Sequence, residues 1–199
     1  MNRALLFIAL YLGFCSQSFG FYSLMDTGEL LNRGYHRVQG EAQLILDKPA
    51  DGLNINGRFA TGLNQESDIQ AEFGVGSVDF YVAGFWKWIP FPDTSHQPAV
   101  GARFGVTYGK INDVSNYGIQ ATPLISKKYT INRVGKVTPY FGLPIGLQNT
   151  ADDTTVSLQG VIGTQYSHPK LRHIYFLLEF GFEIDDAFDH ISFAVSFDL

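Results

Sequence analysis

The feature that most constrains the fold is a strict alternation of large apolar residues with small or polar ones near the end of the chain. In residues 174–184, Ile, Phe or Leu occupies every second position, and Glu179 and Glu183 lie between them. After an acidic turn at residues 185–189, the pattern resumes through residues 191–199. A period of two is typical of β-strands with unlike faces. This stretch is therefore predicted to form two strands joined by a short turn.

The same alternation recurs in eight earlier segments, so ten strands are predicted. The segments are 35–46, 53–63, 69–75, 79–88, 100–108, 117–128, 137–148, 156–166, 174–184 and 191–199. Short polar turns between them predict a meander of hairpins. Pro123, Pro139 and Pro144 predict a bulge or weakly paired seam, because proline cannot donate a ladder hydrogen bond. Residues 89–98 contain three prolines and are predicted to be the longest irregular connection.

The composition of the two faces indicates which of them meets lipid. The apolar face of these segments contains no Asp, Glu, Lys or Arg. A Lys or Arg facing lipid at mid-depth costs about 2–4 kcal/mol, so a lipid-facing band must exclude them. The other face is rich in small and amide residues, which suit the crowded inside of a narrow barrel. The prediction is an all-β, up-and-down antiparallel transmembrane β-barrel of about ten strands, with a secreted soluble barrel as the alternative.

Three parts are predicted along the chain. Residues 1–20 are predicted to be a signal peptide, because Arg3 precedes an apolar run at 4–14 that is too short to span a bilayer, and Ser18 and Gly20 are small. Residues 21–34 alternate poorly and are predicted to be a lead-in segment, periplasmic or tucked into the lumen, with a short helix. Residues 35–199 are predicted to form the barrel. The single cysteine, Cys15, lies in the signal.

An export signal, up-and-down strands and a final strand of alternating hydrophobic residues together resemble the small, porin-like outer-membrane β-barrel proteins of Gram-negative bacteria. Aromatic residues also lie near the segment ends, where girdles occur in such barrels: Trp86, Trp88, Tyr108, Tyr117 and Tyr166. The chain departs from the family in ending on Leu199, with Phe197 third from the end. The resemblance implies the outer membrane of a Gram-negative bacterium as the location and outer-membrane lipid as a partner.

Charged residues on the non-apolar face predict a lumen charge network. Its members are Arg37, Glu41, Arg58, Glu72, Asp79, Lys87, Arg103, Lys128, Glu179 and Glu183. One hypothesis is that these charges pair to fill and lock the barrel, and the other is a narrow pore for small solutes. Barrels of about eight strands are filled by side chains, whereas wide aqueous channels need about sixteen. The filled barrel is therefore favoured.

Small residues on the apolar face predict a contact between barrels. Gly40, Ala42, Gly57 and Ala71 lie on the first three predicted strands. In membranes, small residues let neighbouring surfaces approach closely, because packing drives association there. A homo-oligomer with this seam is predicted, and the alternative is that the glycines merely ease curvature.

The sequence offers little chemistry. His190 and Ser192 share one strand face, and Asp186 or Glu183 could orient the imidazole, as in a lipid-modifying barrel hydrolase. Ser192, however, belongs to the lumen face, away from lipid. We predict no catalytic residue, no metal site and no cofactor. The absence of a Lys/Arg run argues against nucleic acid. The predicted function is a structural or porin-like envelope role without enzymatic activity.

Overall fold

Alternating apolar and polar residues form twelve strands in the computed structural model, which describes residues 23–48, 50–111, 114–150, 154–171 and 173–199. The predicted signal peptide lies outside the described residues. The strands are β1 (His36–Ile45), β2 (Gly52–Gly62), β3 (Ser67–Gly76), β4 (Phe80–Phe91), β5 (Ala99–Ile111), β6 (Val114–Ser126), β7 (Tyr129–Ile131), β8 (Gly135–Gly142), β9 (Ile145–Thr150), β10 (Thr154–Ser167), β11 (Ile174–Asp185) and β12 (His190–Asp198).

The sheet closes on itself. β1 pairs antiparallel with β12, with Arg37 opposite Asp198 and Ile45 opposite His190. Each strand from β1 to β5 pairs with the next one along the chain, and β10, β11 and β12 complete the wall. Between β6 and β10, β9 and β8 share one place in the wall, while short β7 pairs only with β8. The result is a ten-strand antiparallel barrel, which confirms the predicted fold.

The interruption between β8 and β9 is the predicted proline seam. Leu143 and Pro144 separate the two strands, and they lie beside Pro123 of β6. The Leu143 N–H donates to the Pro123 carbonyl at 3.1 Å, and the Pro144 carbonyl accepts from the Gln159 N–H at 3.0 Å. The ladder thus bends around the prolines, because they cannot donate to it.

The prediction for residues 89–98 is wrong at its start. β4 continues to Phe91, and the register with β5 shifts between Trp88 and Phe91. Pro90 lies in this irregular stretch, where a missing donor costs little. The irregular connection is therefore confined to residues 92–98.

The barrel has two unlike ends. The entry end, where β1 begins and β12 ends, carries the connections 63–66 and 92–98, the short strand β7 between β6 and β8, and the connection from β10 to β11. The turn end carries the connections from β1 to β2, β5 to β6 and β9 to β10, together with residues 77–79 and 186–189. The entry end therefore holds the longer connections.

The outside of the barrel is apolar and the inside is polar. Phe73 and Val106 are 62% and 61% exposed on the outer face, whereas Gln39, Gln120 and Gln148 are buried inside. A water-soluble barrel would show the opposite distribution, because exposed apolar patches of this extent are not stable in water. The outer face is the lipid-facing band of a transmembrane barrel.

No helix in the described part of the chain is long and apolar enough to cross a membrane.

Candidate functional site in the barrel lumen

Six of the ten predicted network residues lie buried in the lumen. They are Glu41, Arg58, Glu72, Lys87, Arg103 and Glu179. Glu72 joins two cations: its Oε1 lies 2.7 Å from Arg58 Nε and 2.8 Å from Arg103 Nη1. Arg103 also stacks on the Phe85 ring at 3.9 Å. Because the opposite charges are in contact, their attraction offsets part of the free-energy cost of removing them from water.

Lys87 is paired with two acids that sequence reasoning missed. Its Nζ lies 3.0 Å from Asp26 Oδ2 and 3.1 Å from Asp68 Oδ2. Asp68 lies on the same strand face as Gln70 and Glu72. A predicted third strand that began at residue 67 instead of 69 would have included Asp68 among the lumen residues. Asp26 belongs to the lead-in segment, where no periodicity marks its neighbours.

The lead-in segment itself runs through the lumen. Residues 23–27 are buried, and residues 23–34 contain no helix, so the short helix expected there is wrong. Glu179 accepts hydrogen bonds from the Leu24 and Met25 N–H groups at 2.7 and 2.5 Å. Two consecutive backbone donors are thus satisfied by one carboxylate of the barrel wall.

The carbonyls of the segment are bound by wall cations in the same way. Arg58 donates to the Met25 carbonyl at 2.7 Å. Arg103 donates to the Ser23 and Leu24 carbonyls at 3.3 and 3.4 Å. The wall therefore holds a non-strand peptide by side chain to backbone contacts, which meets the requirement that buried backbone groups be paired.

Further contacts fix the exit of the segment toward the entry end. Lys87 donates to the Glu29 carbonyl at 2.8 Å, and the Gly28 N–H donates to Ser126 Oγ at 2.9 Å. A Cβ on Gly28 would lie 2.5 Å from Ala99 Cβ, closer than carbon atoms approach. Only glycine allows the segment to pass the wall at this point.

Apolar side chains pack the segment from both sides. Leu24 packs with a buried cluster that includes Ile89 and Tyr140, and Met25 packs with Leu177. The Tyr140 hydroxyl donates to Glu179 Oε2 at 2.7 Å, which gives that carboxylate a further hydrogen bond. The gap beside Met25 has a volume of about 10 Å³, near the minimum for a single water molecule.

A second apolar cluster closes the turn end. Its members are Ile45, Ala50, Val78, Tyr81, Ile111 and Phe188, all buried. They come from the ends of β1 and β5, from the start of β4 and from three connections at that end. Together with the lead-in segment, this cluster fills the lumen from the turn end to its middle.

The other four predicted network residues lie outside this core. Arg37 is at the entry end, with its Nε 2.6 Å from Asp198 Oδ1, and Lys128 pairs there with Glu29. Asp79 and Glu183 are exposed at the turn end, so their assignment to the interior is corrected. Alternation along a strand predicts the face on which a residue lies, but it does not predict whether that residue lies in the closed part of the lumen.

The seam residues all lie on the outer face. Gly40 is opposite Gly57 in the β1–β2 ladder, and nothing lies within 4 Å of a Cβ placed on Gly40. Gly57 differs, because the Phe73 ring covers it: a Cβ there would lie 2.3 Å from Phe73 Cζ. Ala42 and Ala71 are exposed. The surface depression is therefore at Gly40 rather than Gly57.

His190 and Ser192 face the lumen and are buried. The imidazole Nε2 lies 3.2 Å from Oε1 of Glu179, an acid that the sequence analysis did not assign to it. Neither His190 nor Ser192 is reached from the lipid-facing surface, as a lipid hydrolase would require. Among the described residues, no group of three or more His, Cys, Asp or Glu could hold a metal ion.

Several solved structures are similar to this chain, each at low sequence identity. No family model and no curated protein matches the chain. The N-terminal β-barrel domain of Pseudomonas aeruginosa OprF is 9% identical, covers 85% of this chain and all of its own length (100%), and has a TM-score of 0.40. Ail, the attachment invasion locus protein of Yersinia pestis, is 12% identical, with coverage of 85% and 100% and a TM-score of 0.32. A de novo designed transmembrane β-barrel is 10% identical, with coverage of 86% and 100% and a TM-score of 0.39.

The charges at the two ends have opposite signs. Described bases at the entry end are Arg33, Arg37, Lys127, Lys128, Arg133, Lys136 and Lys170, against the acids Glu29, Glu66, Asp93 and Asp198. Described acids at the turn end are Asp47, Asp51, Asp79, Glu183, Asp185, Asp186 and Asp189, against the bases Lys48 and Lys110. An anion approaching the barrel is therefore attracted to the entry end.

Proposed function

We propose that this chain is an integral outer-membrane β-barrel of a Gram-negative bacterium with a structural role, and that its own lead-in segment keeps the lumen closed. The apolar outer face supports the membrane location, since such a band is stable only against lipid. The observation that carries the closed state is the binding of residues 23–29 inside the lumen. Their backbone groups are held by Glu179, Arg58, Arg103 and Lys87.

Closure distinguishes this role from that of a narrow pore. A hydrated ion needs a continuous water path, whereas the gaps beside Met25 and beneath Val78 are about 10 Å³ each. A gap of this size holds at most one water molecule. The purified full-length protein is therefore expected to give no steady conductance in a planar lipid bilayer.

A loosened segment provides the matched test. Glu179→Gln keeps the volume of the side chain but weakens its acceptance of the Leu24 and Met25 N–H groups, because a charged acceptor binds more strongly than an amide. Brief conducting openings are expected in this variant. Glu183→Gln is the control, since it makes the same change at an exposed position of the same strand. Steady conductance of the unmodified protein, or equal behaviour of the two variants, would contradict the closed barrel.

We also propose that the barrels associate side by side through the depression at Gly40. Its open surface lets a neighbouring barrel approach, and packing drives association in lipid. Gly40→Leu fills the depression without disturbing the barrel, because nothing lies within 4 Å of the new Cβ. Cross-linking in lipid vesicles should then detect fewer oligomers, whereas Leu147→Phe on the far wall should leave them unchanged. Unaltered cross-linking of the Gly40 variant would rule out this seam.

A further inference from the structure

The β7–β8 hairpin extends the barrel wall beyond the rim at the entry end. Lys136 of β8 lies opposite Thr130 of β7 on one side and Ser167 of β10 on the other. Residues in register on adjacent strands point to the same face. The next row inward pairs Thr138 with Gln165, both buried and facing the lumen. The row containing Lys136 therefore lies on the inner face of the extension.

This inner face lines a cavity of about 500 Å³ that opens at the entry end. The hydroxyl groups of Thr130, Thr138 and Ser167 line it, together with His168. Small-molecule sites have volumes of about 300–1,000 Å³ and present a few convergent polar groups. The cavity is large enough for a monosaccharide with one charged substituent.

The charges around the cavity are unbalanced. Lys128, Arg133 and Lys136 line it, while Glu29 is the one acid among its described lining residues. Glu29 pairs with Lys128 and accepts from Gln165 Nε2 at 2.9 Å. Within the described part of the chain, Arg133 and Lys136 have no carboxylate partner. Two cations thus face a polar cavity without an anion to neutralise them.

The backbone at Arg133 is strained. Its φ is +67°, in the left-handed region that Gly and Asn adopt more readily than Arg. Strained residues persist where the surroundings impose them, and they cluster at sites of function. Here the strained turn places a guanidinium, the group best suited to bind a phosphate, at the cavity wall.

We propose that this cavity binds a small ligand carrying a phosphate monoester. Arg133 and Lys136 would bind the phosphate oxygens, and the hydroxyls of Thr130 and Ser167 would donate to the remaining polar atoms. The site lies at the entry end, outside the buried charges of the lumen, and Glu29 of the lead-in segment lines it. The monoester comes either from a soluble sugar phosphate or from a lipid headgroup.

Titration calorimetry on the full-length protein in detergent tests the site. Glucose 6-phosphate should bind and glucose should not. Lys136→Gln should weaken binding about three- to tenfold, the loss expected for one partly exposed charged contact. Lys170→Gln is the control, since Lys170 is exposed at the same end but does not line the cavity. No binding of glucose 6-phosphate, or equal losses in both variants, would overturn the proposal.

A second variant should act in the opposite direction. Glu29→Gln removes the one carboxylate among the described lining residues, so the cavity becomes more positive and glucose 6-phosphate should bind more tightly. Unchanged or weaker binding would contradict a phosphate site in this cavity.

Nanodiscs separate the two sources of the monoester. A soluble source predicts equal affinity for glucose 6-phosphate in phosphatidylcholine and phosphatidic acid nanodiscs. A lipid source predicts that phosphatidic acid competes with the sugar phosphate, and that this competition is lost in Lys136→Gln.

Discussion

Replacing Lys87 by Met tests the central claim that paired charges hold the lumen. The Lys87 side chain is 2% exposed, and its Nζ lies within 3.1 Å of both Asp26 and Asp68. Removing one partner of a buried ion pair costs about 3–5 kcal/mol, because the remaining charge is left unpaired. Two carboxylates are left here, so the loss in the free energy of unfolding should reach the upper part of that range.

Urea unfolding in lipid vesicles measures this loss through tryptophan fluorescence, since Trp86 and Trp88 flank Lys87 on the outer face. Lys127→Met is the matched control. Lys127 also pairs with an aspartate, Asp93, at 2.7 Å, but the two side chains are 25% and 21% exposed at the entry end. An exposed pair contributes about 0.2–1 kcal/mol.

A triple variant completes the test of the Lys87 ion pairs. Adding Asp26→Asn and Asp68→Asn to Lys87→Met removes both unpaired charges and should recover most of the lost stability. If Lys87→Met costs no more than Lys127→Met, or if the added changes recover nothing, the ion pairs do not stabilise the lumen.

Two further perturbations follow from the geometry. Gly28→Ala should destabilise the barrel by about 1–3 kcal/mol, because the new Cβ would lie 2.5 Å from Ala99 Cβ, whereas Gly84→Ala meets open space and should cost little. Partial burial acts to raise the pKa of the Asp93 carboxyl, but hydrogen bonds from Lys127 and the following N–H hold it below 3.8. The ionised Asp93 carboxylate therefore contributes to stability above its unfolded pKa, and this contribution is lost as the pH falls through the lower folded pKa. The urea midpoint, measured from pH 6 to pH 2, should show this loss in the unmodified protein and not in Asp93→Asn.

Binding through backbone groups explains why the sequence did not decide between a periplasmic lead-in segment and one tucked into the lumen. Residues 23–29 are held mainly by their N–H and C=O groups, which every residue type except proline shares. Such recognition leaves no pattern in the bound segment. The local signal is Gly28, whose lack of a side chain is explained by the close approach of Ala99 on the barrel wall.

The sequence alone indicated the ten-strand wall of the barrel and the face that meets lipid, because alternation with a period of two is a local property of each strand. It also placed Glu72, Arg103 and Glu179 on the inner face. It did not predict β7 or the division of residues 137–148 into β8 and β9. Only the tertiary structure decided which charges meet and where the lumen ends. Asp26 reaches Lys87 through a segment without periodicity, and Glu183 has inward parity but lies beyond the closed part of the lumen. The face on which a residue lies follows from alternation within its own strand. The depth of a residue in the barrel, the closure of the lumen and the pairing of charges depend on strands that are far apart in sequence.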